Sequence, residues 1–188
     1  MINGVNKTGI LLEKIRRKLL IINRVASRAS AWTFTIPPFR EIIEKYVGDG
    51  IGWIDPFAGY NSPAEITNDF DPESPSKYHL DSLDFSRDIV KSAKGVIFDP
   101  PYSYRQITEH YKAFGKKATS LDTSYNFYHR IMKELHPKIE IGGSTISFGW
   151  NSNGFPKTWG YEIIEILIVA HGLHHNDTIC VVQNKVSQ

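Results

Sequence analysis

Two short apolar runs in this chain each end on an aspartate followed by proline. They are Ile51–Asp55, leading into Pro56, and Gly95–Asp99 (GVIFD), leading into Pro100 and Pro101. The second run has no polar position before its aspartate. A strand of that kind needs cover on both faces, which is the situation of a parallel strand between two helix layers. Proline has no amide hydrogen and a fixed φ, so sheet pairing stops where each run ends. Each strand therefore delivers a carboxylate at its carboxyl end. In open α/β sheets that edge, near the switch in strand order, is where ligands bind.

Around these runs the expected elements alternate. Residues 8–25 carry Ile10, Leu11, Ile15, Leu19 and Ile22 at helical spacing with basic residues between them, and Thr8 is a suitable N-cap. Residues 26–33 read as a Ser/Ala-rich linker. Phe34-Thr35-Ile36-Pro37-Pro38 is expected to be extended, with Pro38 opening a helix to Val47 that Gly48 and Gly50 end. Ile66–Asp71 and Tyr78–Leu80 are weaker strands, and Asp84–Ala93 is a short helix. Arg105–Phe114 and Ser124–Leu135 read as helices, and Thr145–Trp150 as a strand. The apolar runs Tyr161–His171 and Asp177–Asn184 flank a Gly/His/Asn turn and read as an antiparallel hairpin. The expected fold class is α/β, a mostly parallel sheet with helices on both faces and a C-terminal antiparallel hairpin.

A length of 188 residues supports one compact domain with its own core. One cysteine excludes a disulfide framework and a four-thiolate zinc site. No apolar run reaches the roughly 20 residues of a membrane span, and charges break up the N-terminal apolar residues. A membrane-free, cytoplasmic protein is expected. The net charge of +2 conceals an asymmetry. Residues 1–31 hold seven basic residues (Lys7, Lys14, Arg16, Arg17, Lys18, Arg24, Arg28) and one acid, Glu13, net +6, which leaves −4 on the remainder. A basic helical arm before an acidic body suits a polyanionic partner, although a solvated amphipathic helix has the same composition. His171, His174, His175 and Asp177 fall in the hairpin turn and read as turn residues rather than metal ligands. Cys180 reads as a small buried apolar residue.

Asp99-Pro100-Pro101-Tyr102 carries the most chemistry. Two prolines remove two amide donors and leave a stiff rim of acceptors, the Asp99 carboxylate and nearby carbonyls. Tyr102 adds an aromatic face. Such a rim suits a planar heterocycle with an exocyclic amine, which donates two hydrogen bonds while its ring stacks. A strand terminator with a packed tyrosine is the other reading. The tetrapeptide resembles the catalytic motif of amino-methyltransferases acting on adenine N6. Asp55-Pro56-Phe57-Ala58-Gly59 is similar to their S-adenosylmethionine loop, and Phe34-Thr35-Ile36-Pro37 to the cofactor motif before it. With Phe148–Gly154, Glu162–Leu167, His171-Gly172 and His175–Cys180, the chain resembles small phage- and prophage-type adenine-specific DNA methyltransferases over roughly residues 32–186.

The resemblance implies a Rossmann-like class I methyltransferase fold at 32–188, behind the arm at 1–31. It implies S-adenosylmethionine as methyl donor, S-adenosylhomocysteine as product, no metal, and double-stranded DNA as partner, with a homodimer as a further state. The setting would be a prokaryotic or phage-infected cell. Asp99, Pro100, Pro101 and Tyr102 would hold the target base. Phe34 and Ile36 would cover the cofactor's methionine end, and Asp55, Phe57 and Gly59 would wall its methionine part. Asp69, or Asp71, would take the ribose hydroxyls. Asp81 would meet the adenine amine, with Leu83 or Phe70 against the ring. Arg16, Arg17, Lys18, Arg105, Lys116, Lys117 and Lys157 are candidate phosphate contacts, which position a duplex without reading it. Gly59-Tyr60-Asn61 lacks the second glycine of the usual G-x-G, and only 13 steps separate Asp55 from Asn68, so a shortened first helix after this strand is expected. The alternatives are a methyltransferase acting on RNA or a protein glutamine amide, and a non-catalytic nucleic-acid-binding relative.

Overall fold

The computed structural model describes residues 20–89, 92–102, 125–172 and 175–188. Among them, seven strands form one sheet: β1 (Ile21–Ala26), β2 (Trp53–Asp55), β3 (Ile66–Thr67), β4 (Ala93–Phe98), β5 (Ile139–Gly149), β6 (Tyr161–Ala170) and β7 (Thr178–Lys185). Their order across the sheet is β1-β6-β7-β5-β4-β2-β3. β7 runs against β5 and β6, and every other neighbouring pair is parallel. The helices are α1 (Pro37–Tyr46), α2 (Ser82–Asp88) and α3 (Tyr125–Leu135).

The sheet separates two cores. On one face, Phe39, Ile42 and Ile43 of α1 meet Trp53, Ile97, Ile146, Phe148 and Val182. On the other, Phe85 of α2 and Ile131 and Leu135 of α3 meet Ile54, Val96, Phe98, Phe155 and Tyr161. Successive β4 side chains therefore enter opposite cores, which is why Gly95–Phe98 is apolar throughout. Fully burying a side chain the size of Ile97 or Phe98 contributes about 1.5–3 kcal/mol, so this strand is well anchored where it meets the prolines.

The mostly parallel sheet, the helices on both faces and the C-terminal antiparallel pair agree with expectation. Residues 56–65 contain no helix, in keeping with the shortened connection. The strand expected at Thr145–Trp150 already begins at Ile139, the one expected at Ile66–Asp71 ends at Thr67, and four further details differ. The helix expected over 8–25 is overturned from residue 21, where Ile21–Ala26 pairs in parallel with Glu165–Ala170 of β6. An open sheet edge offers a row of pairing groups, and the β-branched Ile21, Ile22 and Val25 suit it. The extended segment ahead of α1 is instead a 3-10 turn at Thr33–Thr35, and both prolines lie in the first turn of α1, where no amide donor is needed. The strand expected at Tyr78–Leu80 is a single bridge from Tyr78 to Asn68. The helix expected over Asp84–Ala93 is α2, which ends at Asp88, while Ala93 already belongs to β4.

The hairpin turn residues fasten β1. Arg24 pairs with Asp177 at 3.2 Å. Nδ1 of His171 lies 3.1 Å from the Ser27 carbonyl, and Nε2 lies 3.0 Å from the Thr178 hydroxyl. A carbonyl only accepts, so Nδ1 donates, and the other nitrogen of a neutral ring accepts from Thr178. Cys180 is fully buried, as expected. Arg16, Arg17, Lys18, Arg105, Lys116, Lys117, His174 and the helix expected at Arg105–Phe114 lie outside the described residues. No helix among the described residues is long and apolar enough to cross a membrane.

Candidate active site

β2 and β4 are parallel neighbours, with Trp53 opposite Gly95 and Ile54 opposite Val96. Their carboxyl ends consequently open side by side at the switch in strand order, with β3 leaving on one flank and β5 on the other. Two cavities meet there. One, of about 260 Å³, is lined by Ala31, Thr33, Pro56, Phe57, Asn68, Asp69, Phe70, Leu80, Asp81 and Ser82, together with Asp99–Tyr102, Phe127 and Tyr128. The other, of about 250 Å³, is lined by Phe98, Met132, Ser147, Phe148, Gly149, Trp150, Asn151, Asn153 and Gly154. Pro100, Pro101, Tyr102 and Tyr128 border both. The Asp99–Tyr102 segment is thus a partition with a chamber on each side.

The partition is braced by hydroxyls. Tyr128 donates to the Pro101 carbonyl at 2.5 Å. Tyr102 donates to the Asp99 carboxylate, and the Thr33 hydroxyl bonds Asp99 as well. A carboxylate has about four acceptor positions, so capacity remains for an incoming amine. Desolvation by the surrounding protein pushes Asp99 up to about 6, against the lowering effect of those hydroxyl bonds. Burial and the neighbouring Asp99 raise Tyr102 well above its ordinary value, so it stays a neutral donor. The Tyr102 and Trp150 rings lie 5.8 Å apart at 52°, beside the second cavity.

The first cavity has an acidic far end. Asp69 accepts from the Gly59 and Asp71 amides, each at 2.8 Å. Asp81 caps α2 by accepting from the Leu83 amide at 2.9 Å. Asn68, buried between them, donates to the carbonyls of Pro56 and Leu80 and accepts from the Leu80 amide, so it staples the loops after β2 and β3 together. Carboxylates beside Phe57 and Phe70 suit the hydroxyls, amine and ring of a nucleoside. The described lining includes three aspartates and no lysine or arginine. The three carboxylates suit a cationic nucleoside.

Of the expected cofactor residues, Phe57, Asp69 and Asp81 line the cavity, and Phe70 joins them. Phe34, Ile36, Asp55 and Gly59 do not. The 3-10 turn carries Phe34 against Phe148, with centroids 5.7 Å apart, and buries Ile36, while Thr33 faces the cavity in their place. Gly59 supports Asp69 from behind with its amide and adopts φ +53. Asp71 instead accepts from the Tyr60 hydroxyl at 2.9 Å. Lys157 is exposed on the 3-10 turn Lys157–Trp159. Sequence reasoning missed Thr33, Asn68 and Ser147, while Phe127 and Tyr128 both pack on the core and also border the cavity.

Asp55 is fully buried, accepting from the Phe57 amide at 2.9 Å and the Ser62 hydroxyl at 2.6 Å. Burial pushes it up to about 7, and the nearby Asp99 and Asp69 charges add to the rise. A folded-state value raised from 3.8 contributes stability that is full below pH 3.8 and is lost as pH climbs through about 7. Asp55→Asn keeps one acceptor for Phe57 and can reorient its amide toward Ser62. It is therefore expected to raise the melting temperature relative to wild type at pH 8, and to do so less at pH 5. Thermal denaturation at both values checks this, and an equal shift at each would contradict the buried-charge account.

No family model matches the chain, and no curated protein matches it. Solved structures do. TrmN from Thermus thermophilus aligns with a TM-score of 0.53 at 12% identity, over 80% of this chain and 49% of that one, so the chain spans about half of its length. The provisionally assigned methyltransferase yhhF from Escherichia coli aligns with a TM-score of 0.51 at 11% identity, over 81% of this chain and 87% of that one. Likeness at such identity is one of fold: with its strand order and reversed β7, the chain has the Rossmann-like class I methyltransferase fold.

Proposed function

We propose that the chain transfers the methyl group of S-adenosylmethionine to N6 of an adenine flipped out of double-stranded DNA. The observation that carries this reading is the partition. A stiff acceptor rim stands between an acidic cavity suited to a cationic nucleoside and a second cavity bordered by aromatic rings. Asp69 and Asp81 would hold the cofactor's adenosine part and Asp99 would face its sulfonium. When bound, the cofactor supplies an electrophilic methyl group.

The chain's own residues do the rest. The lone pair of an aromatic amine is delocalised into its ring, so the amine is a weak nucleophile. Asp99 and the Pro100 carbonyl accept its two hydrogens and draw the nitrogen toward a tetrahedral shape, which aims the lone pair across the rim. Holding donor and acceptor in line is worth up to about 7–11 kcal/mol. The Asp99 charge also lies where positive charge develops on nitrogen. The methylated aromatic ammonium is itself acidic, so it needs no strong base: its proton leaves after transfer, to the Asp99 carboxylate that already accepts it or to water. A base inside a duplex must leave the stack to reach the rim, at a cost of a few kcal/mol, and Tyr102 and Trp150 offer it rings in exchange. Lys157, close in sequence to the loop lining the second cavity, is a candidate phosphate contact.

The test is an acceptor assay. Labelled S-adenosylmethionine is incubated separately with duplex DNA, RNA and protein, and the labelled product is digested and identified. Label in N6-methyladenine from DNA is expected. Label only in RNA or in glutamine would move the reading to those substrates, and no label anywhere would leave nucleic-acid binding without catalysis.

A further inference from the structure

Three buried side-chain oxygens have no hydrogen-bond partner among the described residues: those of Ser76, Ser86 and Ser147. Of the three, Ser147 lines one of the two cavities at the strand ends, the second chamber. Ser147 is 6% exposed, and its neighbour across the sheet is Phe98, the residue before Asp99. Adjacent strands lie about 4.8 Å apart, so the Ser147 backbone runs one strand spacing from the residue that precedes the acceptor rim. Leaving a buried hydroxyl unbonded is costly, and native proteins rarely do it without a reason. The rest of the described lining is rings, prolines, Met132 and two asparagines, and the Tyr102 and Tyr128 hydroxyls there already donate to Asp99 and to the Pro101 carbonyl.

We propose that the Ser147 hydroxyl donates a hydrogen bond to the ring nitrogen beside the exocyclic amine of the target base, which for adenine is N1. This rests on the reading that the second chamber receives the base. An amine held by Asp99 and the Pro100 carbonyl shows the rim only donors. The adjacent ring nitrogen is an acceptor and needs a donor, which neither Asp99 nor a prolyl carbonyl can supply. Ser147 supplies one from the strand next to the rim. Together they would read an amine next to an acceptor, a pattern that guanine and thymine reverse at the same edge. Ser147 is thus assigned to base recognition, and the in-line chemistry remains with Asp99.

The experiment compares wild type and Ser147→Ala on duplex DNA carrying adenine, 1-deazaadenine or 7-deazaadenine at the target position. A neutral hydrogen bond is worth about 1 kcal/mol, or about fivefold to tenfold in kcat/KM. Wild type is expected to lose that factor on 1-deazaadenine and to change little on 7-deazaadenine. Ser147→Ala is expected to lose it on adenine and to lose nothing further on 1-deazaadenine. Ser147→Thr, which keeps the hydroxyl, should recover part of the loss. Because the hydroxyl has no partner to forfeit, Ser147→Ala should melt no lower than wild type and bind S-adenosylmethionine as well. A drop from wild type to Ser147→Ala that is as large on 1-deazaadenine as on adenine, full activity of Ser147→Ala on adenine, or a clear drop in its melting temperature would each overturn the assignment while leaving the methyltransferase reading intact. Failure of wild type to methylate adenine at all would overturn both.

Discussion

Asp99→Ala is expected to reduce methyl transfer by about 10³-fold or more while binding of S-adenosylmethionine weakens only a few-fold. Removing a single preorganised group that stabilises transition-state charge costs about 10²–10³, and Asp99 also orients the amine. Its loss leaves the Tyr102 and Thr33 hydroxyls without their shared acceptor. The acidic end of the first cavity, with Asp69, Asp81, Phe57 and Phe70, where the adenosine part is proposed to sit, is untouched, which is why cofactor affinity should persist. Calorimetric titration and a single-turnover assay separate the two effects. Asp99 is held at about 6, and only its ionised form presents both oxygens as acceptors, so wild-type kcat/KM should rise with pH through about 6. Asp99→Asn should lose that rise, because its amide does not titrate. A profile unchanged by the substitution would remove Asp99 from the reacting centre.

Gly154→Ala is expected to lower stability by about 3 kcal/mol, from the strain of a left-handed residue and from buried polar groups left unpaired. Gly154 adopts φ +58, and an added Cβ would stand 2.1 Å from Oε1 of Gln183. That side chain is buried, and its amide both accepts from the Phe155 amide at 2.7 Å and donates to the Phe155 carbonyl at 2.8 Å. Phe155 in turn packs on Phe98 with centroids 5.9 Å apart. The Gln183 amide therefore holds the Asn151–Gly154 loop, which lines the second cavity, against the strand that carries Asp99. A loss of this size lowers the melting temperature by about 6–12 °C in a chain of this length. On the proposed function KM for DNA should rise with it, since the same loop lines the second cavity. Gln183→Ala breaks the same two bonds, so the double variant should cost clearly less than the sum of the singles. Additive losses would mean that the glycine and the glutamine act separately.

Much of this was legible in the chain. Gly95–Phe98 is apolar because its strand lies between two cores, and the prolines after Asp99 cannot pair, so its position and its end both follow from residue type. The antiparallel pair at the C-terminus was legible from two apolar runs around a polar turn. β1 was not. Ile21, Ile22 and Val25 satisfy a helical spacing and a strand propensity equally, and only the free edge of β6 decides between them. The segment before α1 misled for a local reason: Pro37-Pro38 forbids helix upstream yet is well suited to a first helical turn, and the 3-10 turn ahead of it exchanges Thr33 for Phe34 at the cavity.

What the sequence determined by itself is the rim. Asp99, Pro100, Pro101 and Tyr102 are consecutive, their acceptor pattern follows from covalent structure, and the apolar strand before them fixes where they emerge. What only the tertiary structure decided is the company they keep. Thr33, Tyr128 and Ser147 lie 66, 29 and 48 positions from Asp99 in the chain, and no local pattern marks them. They reach the rim through strand register and helix packing, because side chains distant in sequence converge only when the sheet closes between its two cores.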